Sequence, residues 1–220
     1  MTTTFVAPRS VEEVLAALAA GGTAVAGGTD LVVGARQGKA PLPDSLVAIH
    51  RLDALRELET PDGGLKLGAL VSHAEIVASD AVRDRFTALA DASSIVGSHA
   101  TRAQGTIGGN VMNASPAMES GGPLICFGAV AALASTHGTR WVGVEELFEG
   151  PGTTTARPDE LLTSIDVPPP AAGTGSCYVR LEYRRQMEIA VVGVTAAVTI
   201  AGDGVAAARV AITALAPTIR

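Results

Sequence analysis

The chain has 220 residues, of which 47% are hydrophobic, 17% charged and 3% aromatic, so one or two domains with a sizeable buried core are expected. Its 16 basic and 22 acidic side chains give a net charge of −6, which argues against nucleic-acid binding because such binding needs a basic surface. Two cysteines outside any CxxC cluster argue against a zinc site or an iron–sulfur cluster held by this chain alone, and their scarcity is typical of a reducing cytoplasm.

The first fifty residues predict a β-α-β unit. The start, MTTTFVAPRSVEEV, lacks the basic and apolar regions of a signal peptide. Ser10 and Glu13 have the spacing of a capping box, and the apolar residues after them recur at helical spacing. In chain order, the predicted elements are a helix over 9–22, a strand over 23–28, a helix over 29–38 with Thr29 near its N-cap, and a strand over 45–52.

The middle of the chain predicts helices and strands around one glycine-rich loop. The loop is RAQGTIGGNVMNASPAMES over 102–120, which is too polar and too rich in glycine for a core helix. The elements predicted around it are a strand over 65–70, a capping box over 72–75, a long helix over 80–96, a helix over 123–130, and strands over 131–136, 139–144 and 160–167.

The last fifty residues predict a linker followed by a meander of three strands. The linker is PPPAAGTG over 168–175, and the predicted strands are 176–185, 191–201 and 205–217. The longest apolar stretch, 189–201, is too short to cross a bilayer as a helix. Because two or three strands with one apolar face are not stable alone, either another part of the molecule covers them or the natural chain is longer.

Two glycine turns, far apart in sequence, have the chemistry of an anion site. Gly27 and Gly28 lie between a predicted strand and a predicted helix, where a backbone without Cβ atoms can turn sharply and approach a ligand. The second turn supplies flexible amides from Gly105, Gly108 and Gly109 and side-chain donors from Thr106 and Asn110.

Together the two turns suit a pyrophosphate, whose oxygens lie on two phosphorus atoms. Neither turn matches a P-loop or the GxGxxG fingerprint. Basic residues near them are few, namely Arg36, Arg102 and Arg140, so amides and dipoles are expected to neutralise most of the charge. The alternative for either turn, taken alone, is an ordinary strand-to-helix connection without a ligand.

The segments VAGGTDLVVGAR, GALVSHAEI, RAQGTIGGNVMNASPAMES and YVRLEYRRQMEIAVVGV resemble the FAD-binding medium subunits of the molybdenum hydroxylases, and the likeness covers nearly the whole chain. The resemblance implies an α+β fold with the two-subdomain FAD-binding arrangement of the vanillyl-alcohol-oxidase and MurB-like flavoproteins. The subdomains would be 1–57 and 58–170, followed over 171–220 by a truncated C-terminal α+β domain reduced to its strands. Family members usually run on for several dozen more residues, so a fragment or a naturally short relative is expected.

The resemblance also implies the residues that bind FAD. Ala26, Gly27, Gly28, Thr29 and Asp30 would hold the pyrophosphate from one side, and Thr106, Gly108, Gly109 and Asn110 from the other. Ser115 would touch the phosphates or ribose, Glu119 would lie near the adenosine ribose where the family usually has Asp, and Ile49 and Ile107 would pack on the flavin. Arg180 falls where many members have Lys near the pyrimidine edge of the flavin, a change that keeps the charge and alters its geometry.

The function implied by the resemblance is electron transfer within a larger enzyme. A molybdopterin-binding large subunit would oxidise the substrate, a small subunit with [2Fe–2S] clusters would pass the electrons on, and FAD on this chain would deliver them to NAD⁺ or another acceptor. Two alternatives stay open. One is a degenerate or truncated flavin-binding module that only bridges partners, and the other is a stand-alone MurB-like flavin reductase.

The remaining candidate side chains carry less chemistry. No Ser/His/Asp or Cys/His set has a suitable spacing, so neither a catalytic residue nor a metal ligand is predicted. The four histidines, His50, His73, His99 and His137, are each expected at the surface or in a cap, and His99, which precedes the second turn, is the one to test for a role near FAD. Cys126 is expected in the core, and Arg184 and Arg185 are expected at the surface or facing a partner.

Overall fold

The computed structural model describes residues 3–184 and 187–220, an α+β chain with three separate sheets of three strands or more. The helices are α1 (Val11–Ala19), α2 (Leu31–Arg36), α3 (His73–Ala78), α4 (Asp80–Arg85), α5 (Thr87–Ser94), α6 (His99–Gln104), α7 (Ile107–Met112), α8 (Gly121–Cys126) and α9 (Val144–Leu147). The strands are β1 (Thr4–Val6), β2 (Thr23–Val25), β3 (Ser45–Ala48), β4 (Leu58–Glu59), β5 (Leu65–Gly68), β6 (Val130–Ser135), β7 (Gly138–Gly143), β8 (Phe148–Gly150), β9 (Thr153–Thr154), β10 (Leu161–Val167), β11 (Thr174–Leu181), β12 (Val192–Ala201) and β13 (Gly204–Thr213). Arg185, predicted to face the surface or a partner, lies outside the described residues.

The first sheet is parallel and has the order β1-β3-β2. Helix α1 crosses from β1 to β2. One half of the predicted capping box is present, because the Ser10 hydroxyl accepts a hydrogen bond from the Glu13 amide at 3.2 Å, whereas the Glu13 carboxylate accepts from the Arg9 amide and not from that of Ser10. Val14 and Leu18 of α1 are buried in a cluster that also contains Leu161 of β10. The first sheet therefore shares its core with the sheet that follows it.

The second sheet is antiparallel and has the order β4-β5-β10-β6-β7. Its main core cluster includes Leu133 and Ile165 from the strands and Phe86 and Leu89 from the helices, all fully buried. The rings of Phe86 and Phe127 meet edge to face with centroids 5.1 Å apart, a favourable aromatic geometry.

Two predictions for this region are wrong. The helix expected over 80–96 is divided into α4 and α5 at Phe86, whose backbone leaves the helical region (φ −123°, ψ 46°) and whose ring enters the core. The glycine-rich stretch expected as a loop contains α6 and α7. Side-chain caps from Ser98 and Thr106 start these helices, and the burial of one face of α7 outweighs the low helix propensity of its glycines.

The C-terminal sheet is an antiparallel meander with the order β11-β12-β13. One face packs against α5 and α8, so that Tyr178, Ala197 and Ala211 join the core cluster of the second sheet. On the other face, large side chains such as Val179 and Val210 are exposed. Helices therefore cover one face of the meander. The sequence alone did not show what would cover it.

None of the helices in the described part of the chain is both long and apolar enough to cross a membrane.

Candidate functional site

A cavity of about 1020 Å³ lies where the first sheet meets the second. Both glycine turns line it, together with the start of α3, the segment after α7, the approach to β10, and Glu188 and Ile189 before β12. Of the residues predicted to bind FAD, those that line the cavity are Ala26, Gly27, Gly28, Thr29, Asp30, Ile49, Thr106, Gly108, Gly109, Asn110, Ser115 and Glu119. Its volume is at the upper end of the range for small-molecule and cofactor sites.

The first turn presents a run of unpaired backbone donors. Among residues 3–184 and 187–220, no hydrogen bond uses the N–H of Gly27, Gly28, Thr29 or Asp30. Gly28 has φ +68°, a conformation that side chains other than glycine rarely adopt. At Gly27 a Cβ atom would lie 2.0 Å from the carbonyl oxygen of Gln104, so the backbone of this turn packs directly on the end of α6. Consecutive free amides of this kind bind anions.

The second turn differs from the expectation, because its amides are already paired within the protein. The Ile107 and Gly108 amides donate to the carbonyls of Val71 and Ala69, at 2.8 and 3.0 Å. The Gly109 amide donates to the Thr106 hydroxyl oxygen at 3.1 Å. The turn can therefore offer a ligand the Thr106 hydroxyl proton and the side chain of its neighbour Asn110, but not the row of free amides that the sequence predicted.

Glycine nevertheless has a structural role in the second turn. A Cβ atom on Gly108 would lie 2.6 Å from the Ala69 carbonyl oxygen, whereas one on Gly109 would meet only the Thr106 hydroxyl oxygen, at 3.0 Å. Gly108 thus lets α7 pack against the end of β5, and Gly109 keeps space open. Ser120 donates to the Asn110 amide oxygen at 2.6 Å, so the Asn110 amide nitrogen remains as a donor.

The two predicted flavin-packing isoleucines lie in different environments. Ile49 lines the cavity. Ile107 is fully buried in the core of the second sheet and does not line the cavity, so its side chain packs against the protein core and not on the cavity, contrary to the expectation of flavin packing. The reason is its position as the first residue of α7, which turns the side chain towards the strands.

Arg180 also lies behind the cavity wall. Its side chain is 2% exposed, and its Nη1 donates to Oε1 of Glu119 at 2.7 Å while its Nε donates to Glu182. It does not line the cavity, whereas Glu119 does. Burial raises the pKa of Glu119, and Arg180 partly offsets this. The structure therefore places Arg180 against Glu119 and outside the lining of the cavity.

The charged side chains on the wall are mostly acidic. Among the described residues, the charged side chains that line the cavity are Asp30, Glu119, Arg157, Glu160 and Glu188. Arg36, Arg102 and Arg140, expected near the turns, do not line it. Arg140 instead holds Glu160 by two hydrogen bonds of 2.6 and 2.8 Å, which lower the pKa of Glu160. Burial raises the pKa of Asp30 although its side chain is partly in contact with water. An anion in this cavity therefore depends on the amides of the first turn.

One buried histidine lines the cavity, whereas the sequence predicted a surface or cap position for every histidine. His73, the first residue of α3, is 1% exposed and lines the cavity. Burial, with the charge of Arg102 as a smaller cause, lowers its pKa to about 4, so the ring is neutral at pH 7. His99 is exposed, with Nδ1 3.1 Å from a guanidinium nitrogen of Arg102, and does not line the cavity. The capping box at Ser72 was visible in the sequence, but the direction of the next side chain depends on tertiary packing.

Comparison with known proteins identifies relatives over most of the chain. A family model described as "FAD binding domain in molybdopterin dehydrogenase" matches residues 1–170. The nicotinate dehydrogenase FAD-subunit of Eubacterium barkeri is 31% identical over 82% of this chain and 62% of its own length. The carbon monoxide dehydrogenase medium chain of Hydrogenophaga pseudoflava is 30% identical over 96% of this chain and 74% of its own length. The chain thus spans less than two thirds of the first of these relatives.

Comparison of the fold with solved structures identifies the same group of proteins. A solved structure of carbon monoxide dehydrogenase from Hydrogenophaga pseudoflava superposes on all of this chain and on 77% of its own matching chain, with a TM-score of 0.95 and 28% identity. The α+β class predicted from the sequence is confirmed by this match and by the three sheets.

Proposed function

The chain belongs to the FAD-binding medium subunits of the molybdenum hydroxylases, and from this membership we propose that its cavity holds one FAD and that the chain serves as the electron-exit subunit of a larger dehydrogenase. In that role it accepts electrons from the [2Fe–2S] clusters of a small subunit, after substrate oxidation on a molybdopterin-binding large subunit. It passes them to NAD⁺ or another acceptor. The arrangement of the first two sheets around the cavity is then the two-subdomain FAD-binding fold of the vanillyl-alcohol-oxidase and MurB-like flavoproteins, followed by a shortened C-terminal domain.

The observation that carries this proposal is the row of free amides in the first turn. Gly27, Gly28, Thr29 and Asp30 supply four consecutive N–H groups that no other described group uses, and they open into a cavity large enough for a dinucleotide. On an otherwise acidic wall, these amides stabilise a diphosphate by direct hydrogen bonds, each stronger than usual because its acceptor is charged. Thr106 and Asn110 add side-chain donors from the facing turn.

The rest of the lining suits the other parts of FAD. The aliphatic side chains of Ile49, Leu161 and Leu162 form an apolar section of the wall, which is suited to a flat aromatic ring. Glu119 and Ser115 supply acceptors for the hydroxyls of a sugar or polyol. Bound FAD supplies the redox chemistry, while the residues of this chain bind it, orient it and limit its contact with water.

Flavin uptake by the purified chain tests the proposal. After incubation with excess FAD and gel filtration, we expect a visible flavin spectrum with one equivalent of FAD per chain. A colourless protein would reject the flavoprotein assignment and favour a module that only bridges partners. Co-expression with candidate partner subunits then tests the larger role, because a complex that contains molybdenum and iron is expected. An FAD-loaded monomer that reduces a sugar-nucleotide substrate unaided would instead identify a MurB-like reductase.

A further inference from the structure

Arg180 joins three segments of the chain behind the cavity wall. From β11 its guanidinium reaches Glu119 at the approach to α8, Glu182 just after its own strand, and the Glu188 carbonyl oxygen, 3.5 Å away, near the start of β12. Two of these partners, Glu119 and Glu188, line the cavity, although Arg180 does not. One buried cation of the C-terminal sheet thus fixes two residues of the cavity wall.

The orientation of Glu119 depends on this contact. The Arg180 hydrogen bond uses Oε1 of the carboxylate, which leaves Oε2 able to accept from a ligand hydroxyl. The planar guanidinium has several donors in a fixed geometry, so it can hold two carboxylates and a carbonyl at once, which a single ammonium group does less well. Without Arg180, Glu119 would be a nearly buried carboxylate with no cation beside it, and such a group reorients towards water or takes up a proton.

We propose that Arg180 is a positioning residue of the FAD site. It holds Glu119 so that the carboxylate accepts a hydrogen bond from a hydroxyl of the cofactor's ribose or ribityl chain, and it does not touch FAD itself. Through this side chain the C-terminal sheet acts on the binding site, in addition to the direct lining by Glu188 and Ile189 before β12. The inference rests on the proposed function, since it requires that FAD occupies the cavity.

A double-mutant cycle on FAD affinity tests the positioning role. The variants are Arg180→Met, Glu119→Gln and the two combined, with dissociation constants taken from quenching of flavin fluorescence well below every melting temperature. Each single change removes the same charged hydrogen bond, so each is expected to weaken FAD binding roughly tenfold. If Arg180 acts on FAD through Glu119, the double variant should bind FAD about as weakly as either single variant. The same cycle with ADP locates the hydroxyl, since ADP carries the ribose and lacks the ribityl chain.

Additive effects in the cycle would overturn the inference, because they would show that Arg180 acts on FAD binding independently of Glu119. Should Arg180→Met fail to fold, Arg180→Lys with and without Glu119→Gln gives the same cycle at smaller amplitude. Arg209→Met is the matched control, since Arg209 is an exposed arginine of the same sheet that pairs with Glu145 at 3.7 Å, and its affinity should equal that of the wild type. If the wild type itself takes up no FAD, the proposed function is rejected and the inference with it. An additive cycle in an FAD-binding wild type rejects the inference alone.

Discussion

Glycines of the cavity wall have two different roles, and Gly109 differs in this respect from Gly27 and Gly108. A methyl group added at Gly109 meets only the Thr106 hydroxyl oxygen and otherwise open space, whereas methyl groups added at Gly27 or Gly108 collide with backbone atoms of Gln104 or Ala69. Substitution at Gly27 or Gly108 thus disturbs the packing of the turns on their neighbours. At Gly109, in contrast, a small side chain acts mainly on the ligand.

We therefore predict that Gly109→Ala weakens FAD binding about tenfold and leaves the melting temperature of the FAD-free protein nearly unchanged. Titration of each variant with FAD and a thermal melt without FAD measure the two effects. Gly150→Ala is the control, because a methyl group there meets nothing within 4 Å and lies outside the cavity lining. Unchanged affinity in Gly109→Ala would show that FAD does not approach α7.

The buried ring of His73 predicts how stability depends on pH. Its pKa is about 4 in the folded chain and 6.5 is its ordinary value, so between these two values the unfolded state binds more protons. The stability that depends on a neutral His73 ring is fully present above pH 6.5 and is lost as the pH falls towards 4. From the two pKa values, the wild type should lose about 2 kcal/mol of unfolding free energy at pH 5 relative to pH 8 through this group alone.

Urea unfolding at pH 8 and pH 5 measures this loss. His73→Met should reduce the difference between the two pH values by about 2 kcal/mol, whereas His137→Gln, at an exposed histidine, should leave it unchanged. An equal loss in the wild type and in His73→Met would show that another group is responsible.

At the scale of single residues, the sequence identified both turns that line the cavity but not the hydrogen bonds that their residues make. Both turns could be found, because paired glycines beside polar donors are legible in one sequence. That the Ile107 and Gly108 amides are occupied could not be predicted, since their acceptors are the carbonyls of Val71 and Ala69, more than thirty residues earlier in the chain. The ion pair between Glu119 and Arg180 was hidden for the same reason.

The bounds of the helices show where local sequence propensity is sufficient for prediction and where tertiary contacts determine the structure. Helix α1 could be predicted from the sequence because its N-cap, the spacing of its apolar residues and the glycines after it all indicate the same helix. The break at Phe86 could not be predicted, because no residue near it in sequence disfavours a continuous helix. The ring leaves the helical path to reach Phe127, a contact between segments that are separate in sequence.

Packing between elements also predicts the effect of a change in the central strand of the C-terminal sheet. A Cβ atom at Gly193 of β12 would lie 2.2 Å from the Tyr178 hydroxyl oxygen and 2.4 Å from that of Thr213. Alanine usually suits a strand better than glycine, but here we predict that Gly193→Ala destabilises the protein by about 1–3 kcal/mol. Gly175→Ala in the neighbouring β11, where a methyl group meets nothing within 4 Å, should be neutral or slightly stabilising. Chemical denaturation of both variants provides the comparison, and a Gly193→Ala variant as stable as the wild type would show that the strand can shift to accept the methyl group.

The whole molecule is held together by cores that cross its sheet boundaries. The cluster around α1 includes Leu161 of the second sheet, and the main cluster includes Tyr178 and Ala211 of the C-terminal sheet. The family resemblance implied boundaries near 57 and 170, and each of the three ranges contains its own sheet. Linker composition, however, gives no information on which buried faces meet across a linker.

Because these clusters are shared, we predict that the FAD-free chain unfolds in one cooperative transition. In calorimetry the van't Hoff and calorimetric enthalpies should agree, since no sheet has a core that survives the loss of its neighbour. FAD binds residues of both the first and the second sheet in the proposed site, so it should raise the single transition as a whole, by about 2.7 kcal/mol in unfolding free energy at a free FAD concentration a hundred times the dissociation constant. Two resolved transitions, of which FAD shifts only one, would show that the C-terminal sheet unfolds separately and that its contact with the cavity wall through Arg180 does not couple it to the cofactor.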